Sequence, residues 1–187
     1  MSGAVQTVAL AYCSGAGHTR RLAEHIATGV EAAGARAVLV DVTAMTAADW
    51  ATLAAAHAIL FGAPTYMGSA AAGFKTFMDA SSDIWAGQIW ANKLAGGFSV
   101  GTFPSGDKLS TLVQLTVFAA QHGMLWVGQQ EIGAPVDAGK PDINQSGTWL
   151  GLGATSVRDK SLMISSGDAE TARRFGTRMA AAAQRWG

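Results

Sequence analysis

The residues with the clearest chemical potential are Ser14-Gly15-Ala16-Gly17-His18-Thr19, where an apolar β-prone run (Val5 to Tyr12) ends and a helical pattern begins. Small residues let the backbone turn sharply and approach a ligand closely, and Ser14 and Thr19 add two hydroxyl donors. A helix opening at this point aims unpaired N–H groups and the positive end of its dipole at the same spot. Such an arrangement binds phosphate. Two further clusters of small, hydroxylated residues, Pro64-Thr65-Tyr66-Met67-Gly68-Ser69 and the stretch from Ser99 through Gly101 and Thr102 to Gly106, also follow apolar runs. In an open parallel sheet all three would meet beyond the carboxyl ends of the strands, where ligands bind.

The kind of phosphate ligand is narrowed by what the first loop lacks. A P-loop needs Lys then Ser or Thr after its last Gly; His18-Thr19-Arg20 stands there instead, which argues against nucleoside triphosphates. A dinucleotide fingerprint needs a third Gly or Ala where Arg20 sits. Asp41 nevertheless falls about 20 residues on, where a ribose-binding carboxylate is expected, so a Rossmann dehydrogenase using Gly15, Gly17 and Asp41 stays open. A Gly-rich turn that binds nothing is the other alternative.

The elements that must position these loops follow from periodicity. Leu22, Ala23, Ile26, Ala27 and Val30 share a helical face in a segment ending near Gly34. Ala37 to Val42 is a continuous apolar run, expected to be a strand buried on both faces. Residues 44–56 form a helix capped by Thr46, then come a strand at 57–62, a helix at 70–79 and a loop at 82–92 carrying Trp85 and Trp90. A strand at 93–100, a helix at 109–121, a short strand at 124–127 and a last helix at 168–186 complete the chain. The Gly-, Pro- and Asn-punctuated stretch 128–157 is long for a connection and is expected to be functional or interfacial. Strands alternating with helices call for an α/β, doubly wound, five-stranded parallel sheet in three layers, folded as a single domain over 1–187.

Composition sets outer bounds. Hydrophobic residues make up 49% and charged residues 14% of the 187, and the formal net charge is zero. Disorder is excluded. The absence of a Lys/Arg block excludes nucleic acid as a partner, and neutrality removes the charge steering of an acidic electron carrier. So little charge suggests surface covered by a partner, another copy of the chain included. Cys13 is the only cysteine, so an internal disulfide or thiolate metal cage is impossible, no metal is expected, and an inert packed thiol is the simplest reading. No membrane-spanning stretch and no basic, apolar leader at Met1–Val5 are found, so a cytoplasmic protein is expected. His57 is given no role.

Taken together, Ser14 to Thr19, Pro64 to Ser69, Ile84-Trp85-Ala86, the Phe98-Ser99 loop running to Gly106-Asp107, and His122-Gly123-Met124 resemble the Trp-repressor-binding-protein-like branch of the flavodoxin superfamily. Its members are FMN-dependent NAD(P)H:quinone oxidoreductases. The resemblance runs from about residue 5 to 127, fades through 128–160 and returns in the last helix. It implies a flavodoxin-like sheet of order 2-1-3-4-5 and bound FMN. Ser14, Gly15, Ala16, Gly17, His18 and Thr19 would hold the phosphate. Pro64, Thr65, Tyr66, Met67 and Gly68 would run along the isoalloxazine ring, and Ser99, Gly101, Thr102 and Gly106 would meet the ribityl chain and pyrimidine end. His122 would contact the flavin and Trp85 would line the substrate side, with a helix cap and a core Trp as their respective alternatives. NAD(P)H would reduce FMN and a quinone or related small acceptor would reoxidise it, in a homodimer or homotetramer. The chain departs from the branch at Tyr66, where Arg is frequent, and at Phe103-Pro104-Ser105, where Gly is usual. A non-catalytic flavodoxin-type electron carrier is the alternative function.

Overall fold

The computed structural model describes residues 5–159 and 161–187. The leader reading at Met1–Ala4 falls outside them, as does Lys160. β1 (Thr7–Tyr12) is buried almost throughout. It pairs in parallel with β2 (Arg36–Asp41) on one side and with β3 (Ala58–Tyr66) on the other. β5 (Leu94–Gly101) pairs with β3, and β6 (Leu125–Trp126) pairs with β5, giving the order β2-β1-β3-β5-β6. Counting only the strands expected from periodicity, this is 2-1-3-4-5. The chain makes each parallel crossover with a helix: α1 (His18–Ala32), α2 (Ala47–Ala55), α3 (Ala72–Ala80) with α4 (Ser82–Ala86), and α5 (Lys108–Gln121). The last helix, α6 (Ser166–Trp186), packs beside α1.

Two apolar clusters sandwich the sheet. On one face Leu22, Ile26 and Val30 of α1 meet Ala172, Phe175, Met179 and Ala183 of α6 over Val8, Leu10 and Leu60. On the other, Phe61, Phe74, Phe77, Trp90 and Phe118 interlock around Ile59, ring centroids 5.1–6.4 Å apart. Aromatic edges against faces add to the area buried.

Four expectations are corrected. β2 is an edge strand, not buried on both faces: only Val40 is fully covered and Leu39 is 39% exposed, because among the described residues nothing pairs with its outer side. β3 continues through Pro64 to Tyr66, because Pro64 still offers its carbonyl, which accepts from the Ala71 N–H. It then folds back as a two-residue hairpin onto β4 (Ser69–Ala70), with Met67 and Gly68 both at positive φ (49° and 83°), the pattern of a type I′ turn. The 82–92 stretch contains α4 and the fully buried Trp90. Lastly, the fifth strand position is split: β6 pairs with Leu94 and Ala95, and β7 (Leu152–Thr155), drawn from the expected connection, pairs with Phe98 to Gly101.

Candidate functional site

β1, β3 and β5 all run the same way, so Cys13, Tyr66 and Gly101 emerge at one edge of the sheet. The loop from β1 to α1 is held in place by the Cys13 N–H donating to the Gly62 carbonyl (3.0 Å). Gly17 precedes the helix at φ 96°, which an L side chain adopts only with strain, and as the N-cap residue it offers no side chain to the first turn. Among the described residues none accepts from the backbone N–H groups of Ser14 to Thr19; the Ser14 hydroxyl accepts from Arg20 N–H (3.2 Å) one turn in. The first turn contains no acidic residue. A contiguous set of free donors at a helix N-terminus, with no carboxylate to compete, is an anion cradle.

A cavity of about 150 Å³ opens over this cradle, lined by Gly15, Ala16, His18, Thr19, Pro64, Thr65, Tyr66, Val100, Gly101, Thr102 and Ser156. The Tyr66 phenol stands over Gly15, so close that a Cβ there would lie 2.5 Å from the hydroxyl. Tyr66 is half exposed and Met67 wholly exposed at the hairpin tip, while Phe103 projects from the β5 loop at 72% exposure. Beneath the floor, Thr65 Oγ1 joins two fully buried hydroxyls, Ser99 Oγ at 2.8 Å and Thr111 Oγ1 at 2.7 Å. Ser99 therefore reaches the cavity only through Thr65. A larger groove of about 520 Å³, between Trp126, Arg178, Arg185 and Trp186, shares no residue with these loops.

The structure thus brings together the three expected loops and keeps two expected residues away from them. His122 follows α5, whose 14 residues span about 21 Å from the strand-end edge to the opposite one. There it is 1% exposed, packed on Trp90 (ring centroids 4.5 Å apart) and Phe118 (4.7 Å apart). The Ser81 hydroxyl donates to the Met78 carbonyl (2.7 Å), so it accepts from His122 Nε2–H at 3.0 Å. That leaves Nδ1 a buried acceptor without a partner among the described residues, and burial pushes the ring's pKa down, favouring the neutral form. Trp85 lies beside His122 in a separate groove that Lys75, Met78 and Gln121 also line.

Other side chains settle as their surroundings dictate. Burial pushes the Cys13 thiol up to about 11, so it is inert. His57 Nδ1 accepts from Thr7 N–H (3.0 Å). Asp41 Oδ1 accepts from the Thr43 N–H (3.0 Å) and hydroxyl (2.7 Å), an Asx-type turn at the end of β2. Ser156, just beyond the end of β7 and bridged to Ile164, also lines the cavity, and no motif in the sequence marks it. Lys108 was missed as well; burial lowers its pKa, and only Asp168 opposes this.

A family profile described as NADPH-dependent FMN reductase matches residues 7–138. The chain belongs to this family. It is 38% identical over 174 residues to flavodoxin FldP of Pseudomonas aeruginosa (strain UCBPP-PA14), covering 90% of this chain and 92% of the relative. It is 33% identical over 143 residues to an NAD(P)H dehydrogenase (quinone) of Geobacter sulfurreducens, covering 65% of this chain and 70% of that one. Among solved structures, a flavodoxin, WrbA-like protein from Agrobacterium tumefaciens superposes with a TM-score of 0.77 at 37% identity, covering 97% of this chain and 99% of that one. As a member of the FMN reductase family the chain has a flavodoxin-like fold. Among the described residues no helix is long and apolar enough to cross a membrane.

Proposed function

We propose that this chain is an FMN-dependent oxidoreductase that reduces quinones or related small acceptors by two electrons at the expense of NAD(P)H. The observation that carries the reading is the run of N–H groups from Ser14 to Thr19, without an acceptor among the described residues, opening into a cavity shared with the ends of β3 and β5. The phosphate of FMN seats on that cradle, with Ser14 and Thr19 adding hydroxyls. The hairpin residues Pro64, Thr65, Tyr66, Met67 and Gly68 flank the ring, and Gly101, Thr102 and Gly106 meet the ribityl and pyrimidine portion; Ser99 acts through Thr65. When bound, FMN supplies the hydride acceptor, so the protein's task is to position and desolvate rather than to provide an acid or base. Titrating purified protein with FMN, then measuring NAD(P)H oxidation with and without a benzoquinone, tests this. Failure to bind FMN overturns it.

A second reading, a non-catalytic electron carrier, is favoured by the relative named a flavodoxin. The zero net charge speaks against it, because such carriers dock by charge. NAD(P)H oxidation that quinone does not stimulate would select the carrier.

The reading extends to assembly and location. Leu109, Val113 and Val117 form an exposed stripe along α5 at i, i+4, i+8, and the helix carries no charged residue besides buried Lys108. Two such stripes pack about a twofold axis without like-charge repulsion, giving at least a homodimer. Val113→Glu is expected to yield a monomer by light scattering; an unchanged mass refutes the interface. The cytoplasm, where NAD(P)H is available, is the proposed location.

A further inference from the structure

Lysine is among the residues least often buried. Lys108 is 1% exposed. Its stem passes beneath the β5 loop, where methyl groups built on Gly101 and Gly153 would touch Cγ at 3.3 Å and Cε at 3.2 Å. The ammonium donates to the carbonyls of Phe103 (3.0 Å) and Pro104 (2.7 Å) and to Thr155 Oγ1 (3.3 Å). Three acceptors satisfy its three N–H bonds. None is a carboxylate. Asp168, the acidic group whose field it feels, is occupied elsewhere and accepts from Thr155 N–H at 3.0 Å. Lys108 is thus hydrogen-bonded but not ion-paired, and burying such a charge costs several kcal/mol.

Its position makes that cost informative. The residues just above it, Gly101 and Thr102, line the candidate cavity, and Ser156, which donates its N–H to the Gly101 carbonyl (2.9 Å), lines it too. Residues 102–105 are exposed, so the ammonium is what gathers the loop carbonyls inward. A trans peptide whose carbonyl points inward turns its N–H outward, which for Pro104–Ser105 leaves the Ser105 N–H facing away from the ammonium.

We propose that Lys108 is a positioning residue: it fixes the 101–106 loop from below and, through its unpaired charge, favours the reduced, more negative form of FMN over the oxidised form. This rests on the FMN reading. A neutral replacement weakens binding of reduced FMN about tenfold more than oxidised FMN, which for a two-electron couple lowers the potential by about 30 mV.

The experiment measures the Kd of oxidised FMN and the two-electron potential of the bound cofactor in wild type, Lys108→Met, Lys108→Gln, Lys108→Arg and Asp168→Asn, with hydrogen exchange of residues 102–106 in the apoproteins. Lys108→Met and Lys108→Gln are expected to lower the potential and speed loop exchange. Lys108→Arg is expected to restore both, and Asp168→Asn to shift the potential upward. If the neutral variants fail to fold, the arginine and Asp168→Asn proteins still decide. Neutral variants that bind FMN at the wild-type potential, or an unmoved potential in Asp168→Asn where they do not fold, overturn the proposal. Wild-type protein that binds no FMN overturns the cofactor reading instead.

Discussion

Gly17→Ala is the sharpest perturbation of the proposed phosphate cradle. The native φ of 96° lies beyond the usual left-handed well, and a Cβ there would also come 3.1 Å from Met163 Cε. The methionine end can move aside; the backbone strain cannot. Left-handed conformation costs an L residue about 1–2 kcal/mol. Where that cost shows depends on the apoprotein. If the loop stays as it is, the strain is carried by the folded state and the Tm falls by about 2–8 °C at 2–4 °C per kcal/mol. If the free loop relaxes by turning the peptide that joins positions 16 and 17, a cradle donor is lost until FMN restores it, and the Kd rises by about 5–30-fold, ten for each 1.4 kcal/mol. Apoprotein melts and flavin titrations read the two shares separately, and together they should account for about 1–2 kcal/mol. A variant with the parent's Tm within a degree and Kd within twofold would show that Gly17 is not held in this conformation and that the loop is no preformed cradle.

Four further outcomes follow from the same geometry. Gly29→Ala and Gly176→Ala place a methyl into the carbonyl of Arg173 and of Ile26 respectively, where α1 and α6 touch through backbone; each is expected to cost about 2 kcal/mol net of the helix-propensity gain, with the Tm lower by about 4–8 °C by calorimetry. Riboflavin, which lacks the phosphate, is expected to bind at least 100-fold more weakly than FMN by fluorescence titration, since two charge-assisted bonds to the cradle are worth about 3–6 kcal/mol. Cys13, with its thiol near 11, should be about one part in a thousand thiolate at pH 8 and resist alkylation until the chain unfolds. Thr65→Val leaves the Ser99 and Thr111 hydroxyls without their shared partner and is expected to cost about 1–3 kcal/mol in urea melts.

The site was legible in the sequence because its parts are local: small residues after apolar runs, at strand ends, placed on one edge by parallel topology. What escaped depends on the third dimension. β7 consists of Leu-Gly-Ala-Thr, with little β propensity, and is a strand only because β5 offers it an unpaired edge above β6. Pro64 reads as a strand breaker, yet its carbonyl is enough for the hairpin. Lys108 reads as a solvated helix start until the loop carbonyls around its ammonium are seen. His122 is a flavin contact only by family resemblance and on its own reads equally as a helix cap; it is the C-cap residue of α5, which carries it to the far edge.

That displacement can be tested by pH. The folded-state pKa of His122 is lowered by burial, with no charged partner opposing it, while the unfolded chain titrates near 6.5. Above 6.5 the ring is neutral in both states and its contribution to stability is complete. As pH falls through 6.5 towards the lower folded value, the unfolded state takes up protons that the native state refuses, and stability declines. His25 acts in the same direction, lowered first by burial and then by Arg173 and Arg21. His122→Gln should therefore be less stable at pH 8, having lost the packing on Trp90 and the bond to Ser81, yet lose less on going to pH 5 than the parent does. Because the ring sits a helix length from the cradle, the same variant should keep the FMN Kd and visible spectrum of the parent. A flavin spectrum that shifts in His122→Gln while the fold holds would mean that the histidine reaches the cofactor, through a second subunit or a rearranged α5.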